Sequence, residues 1–237
     1  MASATSTMAT REELQLAVDD AKPRPKPNLQ ATTPSEVYSV SDLVGGEETL
    51  RLLVVRDWQD AVAVDKPVHT KSRYVSKRLA NLAQSGDVKR LKTLRYLLIL
   101  LEFYGSLGSG PKGIKKVPQR EQLRKALVNE NEGMTEGVRR RFTDSKYVLP
   151  TVSLSPHSVY VKERTKIVIS TLNKWHADNL LTHITALALT IDHFDLDLFD
   201  LREDLKLDQK TYCSPSSFLL QQILAPLQQL STLRVPR

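Results

Sequence analysis

The chain has 237 residues, 41% of them hydrophobic and 26% charged, with a formal net charge of +7 and a single cysteine, Cys213. That length buries one sizeable core or two small ones, and the composition excludes a collagen-like or wholly disordered chain. The longest apolar run, Tyr96 to Leu101, is far short of the roughly 20 residues that cross a bilayer, no signal-peptide core stands at the N-terminus, and one cysteine permits neither an internal disulfide nor a multi-cysteine zinc site. These features describe an intracellular, unanchored protein in a reducing compartment.

Residues 1–35 are rich in Ala, Ser and Thr and then in Pro with interleaved basic residues (KPRPKPNLQ), which reads as a disordered tail or linker with no core to bury. Residues 36–65 carry short apolar groups, among them Val40, Leu43, Leu50 and Leu53, and read as a docking segment of unassigned secondary structure. From Thr70 to Gln84, Tyr74, Val75, Leu79 and Leu82 form a helical stripe with Lys71, Lys77 and Arg78 outside it. Ser85 or Asp87 caps the next helix, which runs to about Tyr104 and contains YLLILL, apolar nearly all round, as a buried central helix is.

Gly105 to Lys116 reads as a flexible basic loop carrying Lys112, Lys115 and Lys116. Its G-x-G-x-x-G at Gly108, Gly110 and Gly113 follows a helix rather than a strand and is interrupted by Pro111, and Ile114 stands where a Walker loop needs lysine, so neither nucleotide motif holds. Pro118 suits the first turn of a helix to about Val128, with Leu123 and Leu127 inward. Met134, Val138 and Phe142 then recur at i, i+4 and i+8, which gives a short helix to Thr143. On its wheel Arg139 and Arg141 lie on the flanks and Arg140 points away from the core. Arg139, Arg140 and Arg141, with Lys146 just beyond, are the candidate phosphate contacts on a recognition-type helix. The β-branched stretches Tyr147 to Leu154 and Val159 to Ile169, around a polar turn, predict a hairpin-like wing.

The last patterned stretch runs from His176 to Asp208. Leu180, Ile184, Leu187 and Ile191 form a helical stripe; Phe194, Leu196 and Leu198 alternate with Asp195 and Asp197 as a short strand; Asp197 then caps a helix striped by Leu198, Leu201 and Leu205. Asp208 offers the cap of a third helix, which Pro215 would break early. Leu219, Leu220, Ile223, Leu224 and Leu227 make a substitute stripe with Pro226 inside it, so residues beyond about 211 are expected to pack loosely.

Residues 66–146 hold 19 Lys and Arg against 7 Asp and Glu, a net of +12, while residues 178–208 hold 2 against 8, a net of −6. A basic half points first to nucleic acid, because neutralised phosphates release counterions. The alternative is a protein-interaction module whose acidic half docks on a partner without direct DNA binding. The five histidines show no metal-ligand spacing, the aspartates 192 to 204 lack an EF-hand glycine and terminal glutamate, and no nucleophile signature is present. No metal, cofactor or independent catalytic site is expected.

The run LLTHITALALTIDHFDLDLFDLREDLKLD, Leu180 to Asp208, resembles the second winged helix of the A-forty-nine-type subunit family of RNA polymerase I in its fungal form. VYSVSDLV at Val37, SRYVSKRL at Ser72, DVKRLKTLRYLLILLEFY at Asp87 and EGVRRRFTD at Glu136 follow the family's order, so the resemblance covers roughly residues 36–210. It implies a mainly α, tandem winged-helix protein: a first winged helix over 66–154, a connector over 155–177, and a second winged helix over 178–237, incomplete or altered after about 210. It also implies a nuclear, nucleolar, non-catalytic subunit that binds double-stranded DNA, contacts RNA polymerase I core subunits and supports initiation and elongation. Family members pair with a smaller polymerase subunit through an N-terminal dimerisation domain. This sequence starts near the linker that follows that domain, so stable pairing through it is not carried over.

Overall fold

A computed structural model describes residues 13–14, 17–18, 21–110, 114–127, 132–143, 171–195, 197–207, 221 and 223–228. In chain order its elements are α1 (Pro34–Val37), α2 (Val40–Val44), α3 (Glu47–Leu52), α4 (Arg56–Ala63), α5 (Arg73–Gln84), α6 (Val88–Ser106), β1 (Gly108–Ser109), β2 (Lys115–Lys116), α7 (Arg120–Ala126), α8 (Glu132–Phe142), β3 (Thr171–Leu172), α9 (Lys174–Ile191) and α10 (Leu198–Leu205). The mainly helical class is therefore as expected. The docking segment resolves into the four short helices α1 to α4.

The core is built around α6. Asp87 caps it by accepting from the Arg90 amide at 3.0 Å, and eleven of its nineteen residues are buried, the YLLILL run among them. A helix apolar on every side must be covered on every side. The cover includes α5, α7, α9, α10 and the short helices α2 and α3, and α9 packs along α6 most extensively. The segments expected as two winged helices thus meet in one continuous hydrophobic core, which runs from Ala31 to Ile223. The buried hydroxyls and imidazole of α9 bond within the helix: Thr182, Thr185 and His183 Nδ1 each donate to a carbonyl about one turn earlier.

Three expectations change. Residues 192–194 form a turn rather than a strand, with His193 and Phe194 in the left-handed region at φ 51° and 69°, and Leu198 opens α10. Phe194 and Leu198 fall in a tight turn and at a helix start, and Leu196 lies outside the described residues. The cap itself is as expected, since Asp197 accepts from the Phe199 amide at 2.9 Å. The described part of the expected tail is a strap packed on α9. Pro23, Pro25 and Ala31 are buried, Thr182 Oγ1 donates to the Pro23 carbonyl at 2.9 Å, and Trp175 Nε1 donates to the Ala21 carbonyl at 2.9 Å. Proline suits such a strap because it buries a ring without an amide N–H to satisfy. Residues 223–228 are helical, Ile223 and Pro226 are buried, and the Tyr38 hydroxyl donates to the Ile223 carbonyl at 3.2 Å, so this part of the C-terminal segment is docked rather than loose. Cys213, the Asp208 cap with its third helix, and the wing segments 147–154 and 159–169 lie outside the described residues.

The Asp204 carboxylate on α10 caps α5 from outside that helix, accepting from Ser72 Oγ at 2.5 Å and from the Arg73 and Tyr74 amides at 2.9 and 3.0 Å. Two orphan helix-start amides are thereby satisfied by one remote charge. Asp204→Ala is expected to lower stability by about 2–3 kcal/mol, because charge-assisted hydrogen bonds and a helix cap go together. Chemical denaturation checks this, and a loss under about 0.5 kcal/mol would show that water replaces the carboxylate freely.

Candidate nucleic-acid interface

The two oppositely charged halves partly neutralise each other inside the fold. On α5, Arg78 forms a two-pronged ion pair with Asp192, both contacts at 2.7 Å, while its guanidinium lies 3.7 Å from the Tyr74 ring centroid and the Tyr74 hydroxyl donates to the same carboxylate. Lys77 meets the buried Asp200 at 2.7 Å and Arg90 donates to the Ile191 carbonyl. The sequence pattern places Lys77 and Arg78 merely outside the apolar stripe; the structure turns them onto α10 and the end of α9. The net +12 therefore overstates the free basic surface.

A cationic face remains around β2, α7 and α8. Lys116, Arg120, Arg124, Lys125 and Arg140 are exposed on these elements. Arg120 and Arg140 converge on one oxygen of Glu136, at 3.6 and 3.1 Å, and Arg124 follows Arg120 by one turn on the same side of α7. Arg139 closes on the Glu136 carboxylate at 2.7 Å. Its hydrogen bonds above all, with those of Arg140 and the charge of Arg120, hold that carboxyl down at about 2 against the effect of burial. Three guanidiniums around one carboxylate leave a surplus of positive charge at the α7–α8 junction.

The arginine trio divides. The Arg140 side chain is 74% exposed and that of Arg139 only 14%. Arg141 turns inward: it donates to the Asp42 carbonyl at 2.6 Å, lies 5.6 Å from the Phe142 ring centroid, and its Nη1 is so close that a Cβ on Gly45 would fall 2.6 Å from it. Arg139 and Arg141 thus hold α8 together and anchor it, and Arg140 is the one of the three presented outward. Lys115 is half-buried with Nζ 4.1 Å from the Tyr104 ring centroid, whereas Lys116 is exposed. Lys112 and Lys146 lie outside the described residues.

Sequence reasoning missed Arg120, Arg124 and Lys125. Their signal was available, because a helix with only Leu123 and Leu127 inward presents its i, i+4 arginines together. The expected flexible loop is in part a small sheet: β1, β2 and β3 pair antiparallel in that order, Gly108 opposite Lys116 and Lys115 opposite Leu172. Gly110 is required by this pairing, since an added Cβ would stand 2.5 Å from the Ile114 carbonyl oxygen. Gly110→Ala is expected to cost about 1–3 kcal/mol through that backbone clash. An unchanged thermal midpoint would show that the turn simply moves aside.

The arrangement is suited to phosphate contact. α8 carries neither Asn nor Gln to read base edges, and among the described residues no group of three or more His, Cys, Asp or Glu is placed to hold a metal ion. No described helix is long and apolar enough to cross a membrane.

The model of the family described as A49-like RNA polymerase I associated factor matches residues 1–214. The chain is 24% identical over 208 residues to DNA-directed RNA polymerase I subunit RPA49 of Saccharomyces cerevisiae, covering 86% of this chain and 45% of that one. It is 25% identical over 210 residues to subunit rpa49 of Schizosaccharomyces pombe, covering 85% of this chain and 43% of that one. The chain spans less than half the length of either relative.

Proposed function

We propose, for a chain that belongs to the family of A49-like RNA polymerase I associated factors, that it is the DNA-binding part of a non-catalytic RNA polymerase I subunit. It supports initiation and elongation of ribosomal RNA transcription in the nucleolus. The observation that carries the DNA-binding reading is the cationic face of Lys116, Arg120, Arg124, Lys125 and Arg140, left outward after the α5 cations have been neutralised internally. A winged-helix reading accords with the small three-stranded antiparallel sheet, which meets α9 through β3. Docking through the acidic half has less support, because Asp192, Asp200 and Asp204 already bond α5.

The test is the combined variant Arg120→Gln, Arg124→Gln, Arg140→Gln. Loss of about three phosphate contacts is expected to weaken duplex binding about 100-fold near physiological salt. Arg139→Gln and Arg141→Gln are expected to lower the thermal midpoint instead, since both are built into the fold. Unchanged duplex affinity in the combined variant would overturn the reading.

A further inference from the structure

The two oxygens of Glu136 are unequally loaded. Arg139 by itself forms a two-pronged pair with the carboxylate, Nε donating to Oε2 at 3.0 Å and Nη2 to Oε1 at 2.7 Å. Arg140 Nε donates to that same Oε1 at 3.1 Å, and Arg120 Nη2 stands 3.6 Å from it. Arg120 opens α7 and Arg140 lies in the last turn of α8, so one oxygen gathers guanidiniums from two helices. The carboxylate would stay paired through Arg139 if both of them left it.

The three arginines also differ in exposure: the Arg139 side chain is 14% exposed, those of Arg120 and Arg140 are 73% and 74% exposed. An ion pair that open to water is weak, whereas arginine makes short, charge-assisted bonds to phosphate oxygens. We propose that Glu136 is a built-in competitor for phosphate: Oε1 occupies Arg120 and Arg140 at rest, and both leave it for backbone phosphates when a duplex binds, while Arg139 remains. The proposal rests on the DNA-binding reading and adds a regulation of that face, whose affinity is held below what its cations could give. With its carboxyl held at about 2, Glu136 keeps its charge throughout the neutral range. A carboxylate that instead served to hold the two arginines in a binding geometry would have the opposite effect on removal, so the sign of the change decides.

The test is the duplex affinity of the full chain near physiological salt. Glu136→Gln, which leaves Arg139 an acceptor, is expected to tighten binding about fivefold. Glu121→Gln removes an equal, exposed charge beside Arg120 on α7 and is expected to change affinity by less than about twofold. In a chain already carrying Arg120→Gln and Arg140→Gln the gain from Glu136→Gln should vanish. A second readout uses the native chain alone: added duplex should shift the NMR signal of the Arg140 Nε–H and leave that of Arg139 in place. Unchanged or weaker binding by Glu136→Gln would overturn the proposal, as would an equal gain from Glu121→Gln or an Arg139 signal that moves with that of Arg140. Each of these outcomes leaves the DNA-binding reading standing; that reading falls, and this proposal with it, if the native chain shows no salt-dependent duplex binding.

Discussion

Phe142→Ala is expected to destabilise the protein by about 3–5 kcal/mol, the range for deleting a fully buried aromatic ring. Phe142 is completely buried at the C-terminal end of α8, and its ring meets the His183 imidazole edge-on with centroids 5.2 Å apart. The ring is the contact through which α8, and with it the cationic face, is held on α9. For a chain of this length a loss of that size lowers the thermal midpoint by about 10 °C or more. A change under about 1 kcal/mol would show that α8 is carried by Met134 and Val138 alone.

The second large effect is one of pH. His183 is buried against Phe142, its Nδ1–H donates to the Asn179 carbonyl at 2.7 Å, and burial, together with the charge of Arg141, pushes its pKa down to about 4 from an ordinary 6.5. The folded state therefore holds fewer protons than the unfolded one between those values. The stability tied to neutral His183 is fully present above about pH 6.5 and is lost as the pH falls toward 4. At pH 5 the loss is about 2 kcal/mol. Glu136, held at about 2, acts in the same direction but only below its ordinary 4.5, and Asp178, raised by burial, acts in the opposite direction, so the comparison with a His183 variant is what isolates the histidine. Denaturant midpoints of the native chain and of His183→Gln provide the check: the difference between the two pH values should shrink in the variant. An equal difference in both would assign the effect elsewhere.

Most of the helical frame was legible in local pattern. The all-round apolar YLLILL run marked the central helix, and Asp87 and Asp197 marked their helix starts because a cap depends only on the next three residues. The strap was not legible, since proline and lysine content reports a lack of intrinsic structure and not whether the alternate prolines find a surface. The pairing of Arg78 with Asp192 was also hidden, being 114 residues apart in sequence and created by packing alone. The capture of Arg139 is a different case. A wheel that weighs only apolar residues puts Arg139 on a flank, whereas Glu136, three residues earlier, was the visible reason for its capture. The candidate site accordingly kept Arg140 and Lys116, gained the α7 cations, and gave Arg139 and Arg141 to the fold.

The most direct test of the cationic face is the salt dependence of equilibrium binding to two unrelated DNA duplexes. If the five exposed cations each neutralise one phosphate, the logarithm of the binding constant should fall with the logarithm of salt concentration with a slope of about −4.5, alike for both duplexes. A slope near zero, or tight binding confined to one duplex, would contradict the account.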